Sequence, residues 1–266
     1  MSSGSKVSTL TNQLAVGSGN TVGVIPYFIN GGTSIYSPLT GYACDNIVSA
    51  RLVTANGQIV EVEETQNQDL LWALRGAGQF FGLVLELTIK TYPLAIIGNP
   101  EGIRQLGTYI FPVQRALEVC KVMSKIMTDR ENISAGHFII AIDPGSHQQV
   151  LMVCPQFFGT ADQASKFFQP LVDLGPVQHM QMSSSFATHS DHLDMMCVKG
   201  EFKRFTQIGL DAFHFDRFVE LITLHSQLIK ECPGAERSAY TFEWHSLTKK
   251  SDVETSFGNP DVTSWL

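Results

Sequence analysis

The chain has 266 residues, with 18 Lys and Arg against 25 Asp and Glu, a net charge of −7. A mildly acidic chain without a basic cluster is poorly suited to gripping nucleic-acid phosphates or an anionic membrane surface. With 44% hydrophobic and 16% charged residues it can bury a core, and no apolar run approaches the ~18 residues of a membrane span.

Residues 1–21 are rich in Ser, Gly, Thr and Asn and read as an irregular lead-in. Met1 to Lys6 lacks the apolar core of a secretion signal, so a cytoplasmic protein is expected. Val22 to Gly32 is an apolar stretch punctuated by glycine. Ile47 to Thr54 and Gln58 to Val62 have strand composition and flank Asn56-Gly57, the strongest short-range hairpin signal. Asp69 to Arg75 reads as a short helix capped by Asn67 or Asp69 and ended by Gly76-Ala77-Gly78. Leu83 to Tyr92 alternates as a strand does and stops at Pro93.

The texture changes near Pro93–Pro100, which sets a boundary between residues 1–95 and 96–266. Val113 to Thr128, Ala161 to Asp173 and Asp216 to Glu231 carry apolar residues at helical spacing. His137 to Asp143 and Gln149 to Phe158 read as strands joined through Pro144-Gly145, an antiparallel pair. Tyr240 to Leu247 is a further strand. Strands interleaved with helices of this kind predict an α+β domain, an antiparallel sheet with helices on one face. The five cysteines, Cys44, Cys120, Cys154, Cys197 and Cys232, form no C-x-x-C, and Cys120 and Cys154 fall in apolar runs expected to be core.

Two stretches carry a resemblance. The first runs from Tyr42 through Asp45-Asn46 and the strand beyond to Ala55-Asn56-Gly57, and the second is Asp69-Leu70-Leu71-Trp72-Ala73-Leu74-Arg75-Gly76-Ala77-Gly78-Gln79-Phe80-Phe81-Gly82. In spacing and order they resemble the berberine-bridge-enzyme-like branch of FAD-linked oxidases, which has the PCMH-type flavin-binding fold. Phe158-Gly159-Thr160 to Val177 is similar to the substrate domain of fungal members. The resemblance covers about residues 20–266. It implies that residues 1–95 are part of a PCMH-type FAD-binding domain and residues 96–266 a substrate-binding domain, with a role in small-molecule secondary metabolism.

The sequence departs from the family pattern. The family's opening subdomain, which binds the ADP half of FAD and carries a flavin-linked His, has no counterpart here, nor does its closing Asn-Tyr and Tyr-Asp-Pro segment; a form short at both ends is expected. Gly19 stands where many members have a flavin-linked Cys. Ile25 and Pro26 replace a Gly-Gly pair that lies close to the flavin, and Asn30 replaces another Gly. The flavin-side positions Gly31, Gly32, Asp45 and Asn46 are then vestigial, and no cofactor is expected. FAD remains the cofactor of the alternative reading, in which it binds without a covalent link or is completed by another chain.

The resemblance puts substrate against the sheet of the second domain. Alternation along Tyr240–Leu247 places Thr241, Glu243 and His245 on one face and Tyr240, Phe242 and Trp244 on the other. A carboxylate and an imidazole two residues apart on one face lie within ~7 Å, which suits acid–base work. These three are the candidate catalytic residues. His137 begins a strand and shares parity with Asp143. His189-Ser190-Asp191-His192 offers a His-x-x-His without a third ligand, so no metal is expected, and no G-x-S-x-G elbow supports a serine hydrolase. The first reading is a flavin-independent enzyme that shapes a lipophilic substrate for cyclisation, cycloaddition or isomerisation. The alternatives are a FAD-dependent oxidoreductase and a non-catalytic binding protein. The apolar stretches Val22–Ile29 and Leu83–Ile89 need cover, so a homodimer is expected.

Overall fold

The computed structural model describes residues 12–197, 199–200, 204–246, 252–258, 262 and 264–265. Its strands are β1 (Asn12–Leu14), β2 (Ile47–Val53), β3 (Ile59–Val62), β4 (Leu83–Ile89), β5 (Thr91–Pro93), β6 (Ile103–Pro112), β7 (Ser134–Ile142), β8 (Gln149–Phe157), β9 (Gln178–Ser185), β10 (Gly209–Leu210), β11 (Tyr240–His245) and β12 (Ser264–Trp265). The helices are α1 (Val24–Ile29), α2 (Ser37–Thr40), α3 (Gln68–Ala77), α4 (Ala116–Thr128), α5 (Ala161–Asp173) and α6 (Phe215–Glu231). The chain forms two units. The first comprises Met1–Gly102, Ser185–Lys203 and Thr248–Pro260, and the second Ile103–Ser184, Arg204–Leu247 and Asp261–Leu266.

The first unit is built on an antiparallel sheet in the order β3-β2-β4 and a small pair, β1-β5. The hairpin at Asn56-Gly57 forms as the sequence requires, with Gly57 at φ +80° and Thr54 N–H donating to Gln58 C=O at 2.9 Å. The inner face of the sheet packs Ala50, Leu52 and Val62 on Phe28, Leu71 and Leu74. On the outer face Val53 pairs with Ile59 on one side and Leu83 on the other. Ile59, Leu83 and the nearby Phe80 are 63%, 69% and 78% exposed. Within the apolar stretch, Val24–Ile29 forms the short helix α1, with Gly23 at its N-cap. Pro26 lies in the first turn of α1, where a backbone N–H has no helical partner to lose. The expected cap of α3 is not made. Asn67 sits at the N-cap with φ 56°, which turns its amide back to donate to Glu61 C=O, and Asp69 accepts only from its neighbour Leu70.

The second unit is a seven-stranded sheet in the order β10-β12-β11-β7-β8-β6-β9. Helices α4, α5 and α6 supply Val119, Met123, Phe168, Leu171, Phe218 and Ile222 to one core with Tyr109, Phe138, Val153, Phe242 and Trp244 of the sheet. One face is therefore covered by helices, as the pattern predicts. Thr160 and Gln163 form a reciprocal capping box at the start of α5. Two strands had no clear sequence signal. β6 is interrupted by Arg104, Gln105 and Gly107, with Arg104 and Gln105 buried. β9 is a polar edge strand that takes in Ser183-Ser184-Ser185. Leu247 and residues 201–203 lie outside the described residues.

Candidate functional site

Strand β11 divides as its alternation dictates. Phe242 and Trp244 are buried in the core under the helices. Thr241, Glu243 and His245 fall on the opposite face, and register brings them into rows across the sheet. Glu243 pairs with His137 of β7, which pairs with Cys154 of β8. His245 pairs with Ala135, then Gln156, then Leu106, while Thr241 pairs with Ile139, then Met152, then Ile110. Polar and apolar side chains thus alternate over this face, with Ala135 a small residue between two polar ones.

The Glu243 carboxylate lies between two imidazoles. His245 Nε2 is 3.3 Å from one oxygen and His137 Nε2 is 3.8 Å from the other. Both imidazoles are buried, while the carboxylate is one-fifth exposed. Nδ1 of His137 and both ring nitrogens of His245 have no hydrogen-bond partner among the described residues. Burial holds His137 below the usual imidazole range. Glu243 pulls it back up and His245 pushes it down, but burial dominates. A neutral imidazole facing a carboxylate can accept or relay a proton. The Cys154 thiol on the same row is pushed up to about 11 by burial, against a hydrogen bond with Thr108, and stays protonated at neutral pH. Arg104 donates through Nε to Gln156 Oε1 at 2.7 Å, and both residues are buried.

Of the three candidate catalytic residues, Glu243 and His245 are brought together, and Thr241 shares their face beside Ile139. His137 completes the cluster. Its companion by parity, Asp143, does not: it lies past the end of β7 and accepts from the backbone and hydroxyl of Ser146 at 2.7 Å. His189 stacks on Phe186 at 5.3 Å, with Nε2 2.8 Å from Ser190 Oγ and 3.2 Å from Gly17 O. Among the described residues no group of His, Cys, Asp or Glu could hold a metal ion. Two shallow surface pockets lie elsewhere among the described residues. One of about 510 Å³ is bounded by Trp72, Asp69 and Glu254, and one of about 420 Å³ by Lys125, Lys166 and Phe167.

In the first unit, Asp45 and Asn46 hold a turn. Asp45 accepts from Tyr42 N–H at 2.9 Å. Asn46 donates to the carbonyls of Thr40 and Tyr42 at 3.2 and 2.7 Å and accepts from the Tyr92 hydroxyl at 2.6 Å. Arg75 donates to Ile47 C=O through Nε and Nη2.

No protein-family model matches the chain. It is similar to the FAD-linked oxidoreductase fogF of Aspergillus ruber, 25% identical over 266 residues, covering 94% of this chain and 52% of that protein. It is 32% identical over 167 residues to the FAD-linked oxidoreductase tazG of Aspergillus terreus, covering 62% of this chain and 33% of that one. The structure matches a Physcomitrella patens BBE-like protein with a TM-score of 0.74 over 96% of this chain and 56% of that one, at 16% identity. The chain has the berberine-bridge-enzyme-like fold. The resemblance read from residues 42–57 and 69–82 is borne out. A carbohydrate oxidase from Microdochium nivale also matches, with a TM-score of 0.67 at 21% identity over 97% of this chain and 56% of that one. The chain spans about half the length of the curated relatives it matches. No helix of the described residues is long and apolar enough to cross a membrane.

The berberine-bridge-like fold implies FAD, and the surroundings of Gly31 and Gly32, with those of Gly76 at the end of α3, test whether it fits. A Cβ at Gly31 would meet the Phe257 ring at 2.4 Å. At Gly32 it would meet Ala43 Cβ and Tyr27 O at 2.5 Å, and at Gly76 the Phe257 backbone N at 2.6 Å. Each space that a missing side chain leaves for a ligand is already taken by this chain's own atoms. The Cβ side of each of these three glycines is therefore closed to a flavin.

Proposed function

We propose that the chain is an enzyme of secondary metabolism that works without flavin. It binds a lipophilic small molecule and carries it through a cyclisation, cycloaddition or isomerisation, on the face of the second sheet that holds Glu243. The observation that carries this reading is the carboxylate of Glu243 set between two buried imidazoles, at 3.3 and 3.8 Å. In an isomerisation, Glu243 takes a proton from an acidic substrate carbon and His245 returns one at another position. The proton count then closes with no redox partner. The half-buried Ile110 and Met152 on the same face supply apolar surface of the kind a lipophilic substrate needs. Orientation of an extended substrate on such a surface contributes several kcal/mol to the rate.

A second reading is favoured by the names of the relatives, several of which are FAD-linked oxidoreductases. In that case the product would have lost two hydrogens. Product mass separates the two. Incubation with lipophilic polyene or polyketide-type substrates, followed by mass spectrometry, is expected to yield a product of unchanged mass from a preparation with no flavin absorption band. A product two mass units lighter, from a yellow preparation, would overturn the first reading.

A further inference from the structure

Residues 252–258 lie in the first unit, against the kinked end of α3. The last carbonyls of a helix have no partner within it, and here one serine takes them. Ser256 N–H donates to Arg75 C=O at 3.0 Å and to Trp72 C=O at 3.3 Å. Its hydroxyl donates to Ala73 and Arg75 C=O at 3.1 and 3.2 Å. The cap fixes the residue that follows. The Phe257 ring packs on Tyr42, with centroids 4.8 Å apart. It also fills the Cβ space of Gly31, where a Cβ would lie 2.4 Å from its Cε2, and its backbone N fills that of Gly76, 2.6 Å from where a Cβ would stand. A Cβ contact under 3 Å is not tolerated by packed atoms. Both glycines also have positive φ, +98° and +132°, where a side chain adds strain of its own.

We propose that Gly31 and Gly76 are the receptor of the chain's own 252–258 segment, and that Phe257 takes the place on this wall that the berberine-bridge-like resemblance assigns to flavin. The glycines are then kept for a strap that ties the turn at Tyr42 to the end of α3. This holds whether or not the Glu243 face is catalytic, because it concerns residues of the first unit alone.

The test is a double-mutant cycle of Gly31→Ala and Phe257→Ala in the full chain, read by urea unfolding. Strain from an alanine at φ +98° is present in both backgrounds and cancels. The clash with the ring is present only when the ring is. Gly31→Ala is therefore expected to perturb the unfolding equilibrium at least ~10-fold less in the Phe257→Ala background. Rescue of an unfolded Gly31→Ala chain by Phe257→Ala reads the same coupling. Additive effects overturn the proposal. Where Gly31→Ala fails to fold in both backgrounds, the wild-type chain decides the matter by melting with and without roughly 100 µM FAD, since a ligand held by the native state raises Tm. An unchanged Tm is expected. A Tm that rises with FAD concentration overturns the proposal.

Discussion

Neighbouring residues of β11 should respond in opposite ways to truncation. Trp244 is fully buried in the core of the second unit. Replacing it with Ala removes one of the largest side chains and leaves a cavity, at a cost of roughly 3–5 kcal/mol. In a chain of this size each kcal/mol lowers Tm by about 2–4 °C, so a fall of roughly 6–20 °C is expected. Its indole Nε1 has no hydrogen-bond partner among the described residues. Trp244→Phe discards that orphan donor, worth about 1–3 kcal/mol of desolvation, along with some ring area, so the two effects offset and Tm should stay close to wild type. His245 is equally buried but faces the other way, and neither ring nitrogen has a hydrogen-bond partner among the described residues. His245→Ala should cost no more than about 1–2 kcal/mol, while turnover falls by about 10²–10⁴-fold. Differential scanning fluorimetry gives the stabilities and the yield of isomeric product gives the rates. A Trp244→Ala protein that melts with the wild type, or a His245→Ala protein with full turnover, would refute the reasoning.

Three further outcomes follow from hydrogen bonding and titration. His137 is held below its ordinary value near 6.5 by burial, so below that pH the unfolded chain binds a proton that the folded chain refuses. Stability is then full above about pH 6.5 and declines as pH falls toward the lower folded value; His137→Gln should flatten that slope in urea titrations between pH 5 and 7, and an unchanged slope would reject the assignment. Asn46→Ala strands the carbonyls of Thr40 and Tyr42 and the Tyr92 hydroxyl in a buried turn, and should cost about 3 kcal/mol or more by chemical denaturation. Thr160→Ala breaks the capping box of α5 and should cost about 1 kcal/mol, measured the same way.

Elements whose signal is local were legible in the sequence. The Asn56-Gly57 hairpin, the three amphipathic helices and the two faces of β11 rest on turn chemistry or periodicity within a few residues, and all appear where those patterns put them. β6 and β9 were not legible, because their polar residues are satisfied by partners far away in the chain. Arg104 bonds Gln156 and Ser183 bonds Gln105, 52 and 78 residues distant. The same limit explains the site. Parity alone pairs Glu243 with His245, but His137 joins them only through the register of β7 against β11. Parity along its own strand linked His137 to Asp143 instead, which belongs to a turn. Nor could Ser256 and Phe257 be matched to α3 from the sequence, since the contact spans some 180 residues.

The discontinuity of the first unit bears on how the chain emerges from the ribosome. Its three segments are separated by most of the second unit, whose β7–β8 hairpin and following helix α5 come from consecutive stretches of chain. Short-range hairpins close quickly, whereas contacts across long sequence separations carry a large loop-closure cost. The second unit can therefore begin to organise during translation. The first must wait with Gly31 and Gly76 uncovered until Phe257 has cleared the exit tunnel. A stalled or prematurely terminated chain ending before residue 256 would lack the cap on α3, and the quality-control machinery of the cell would meet it as an unfinished first unit beside a sheet already forming.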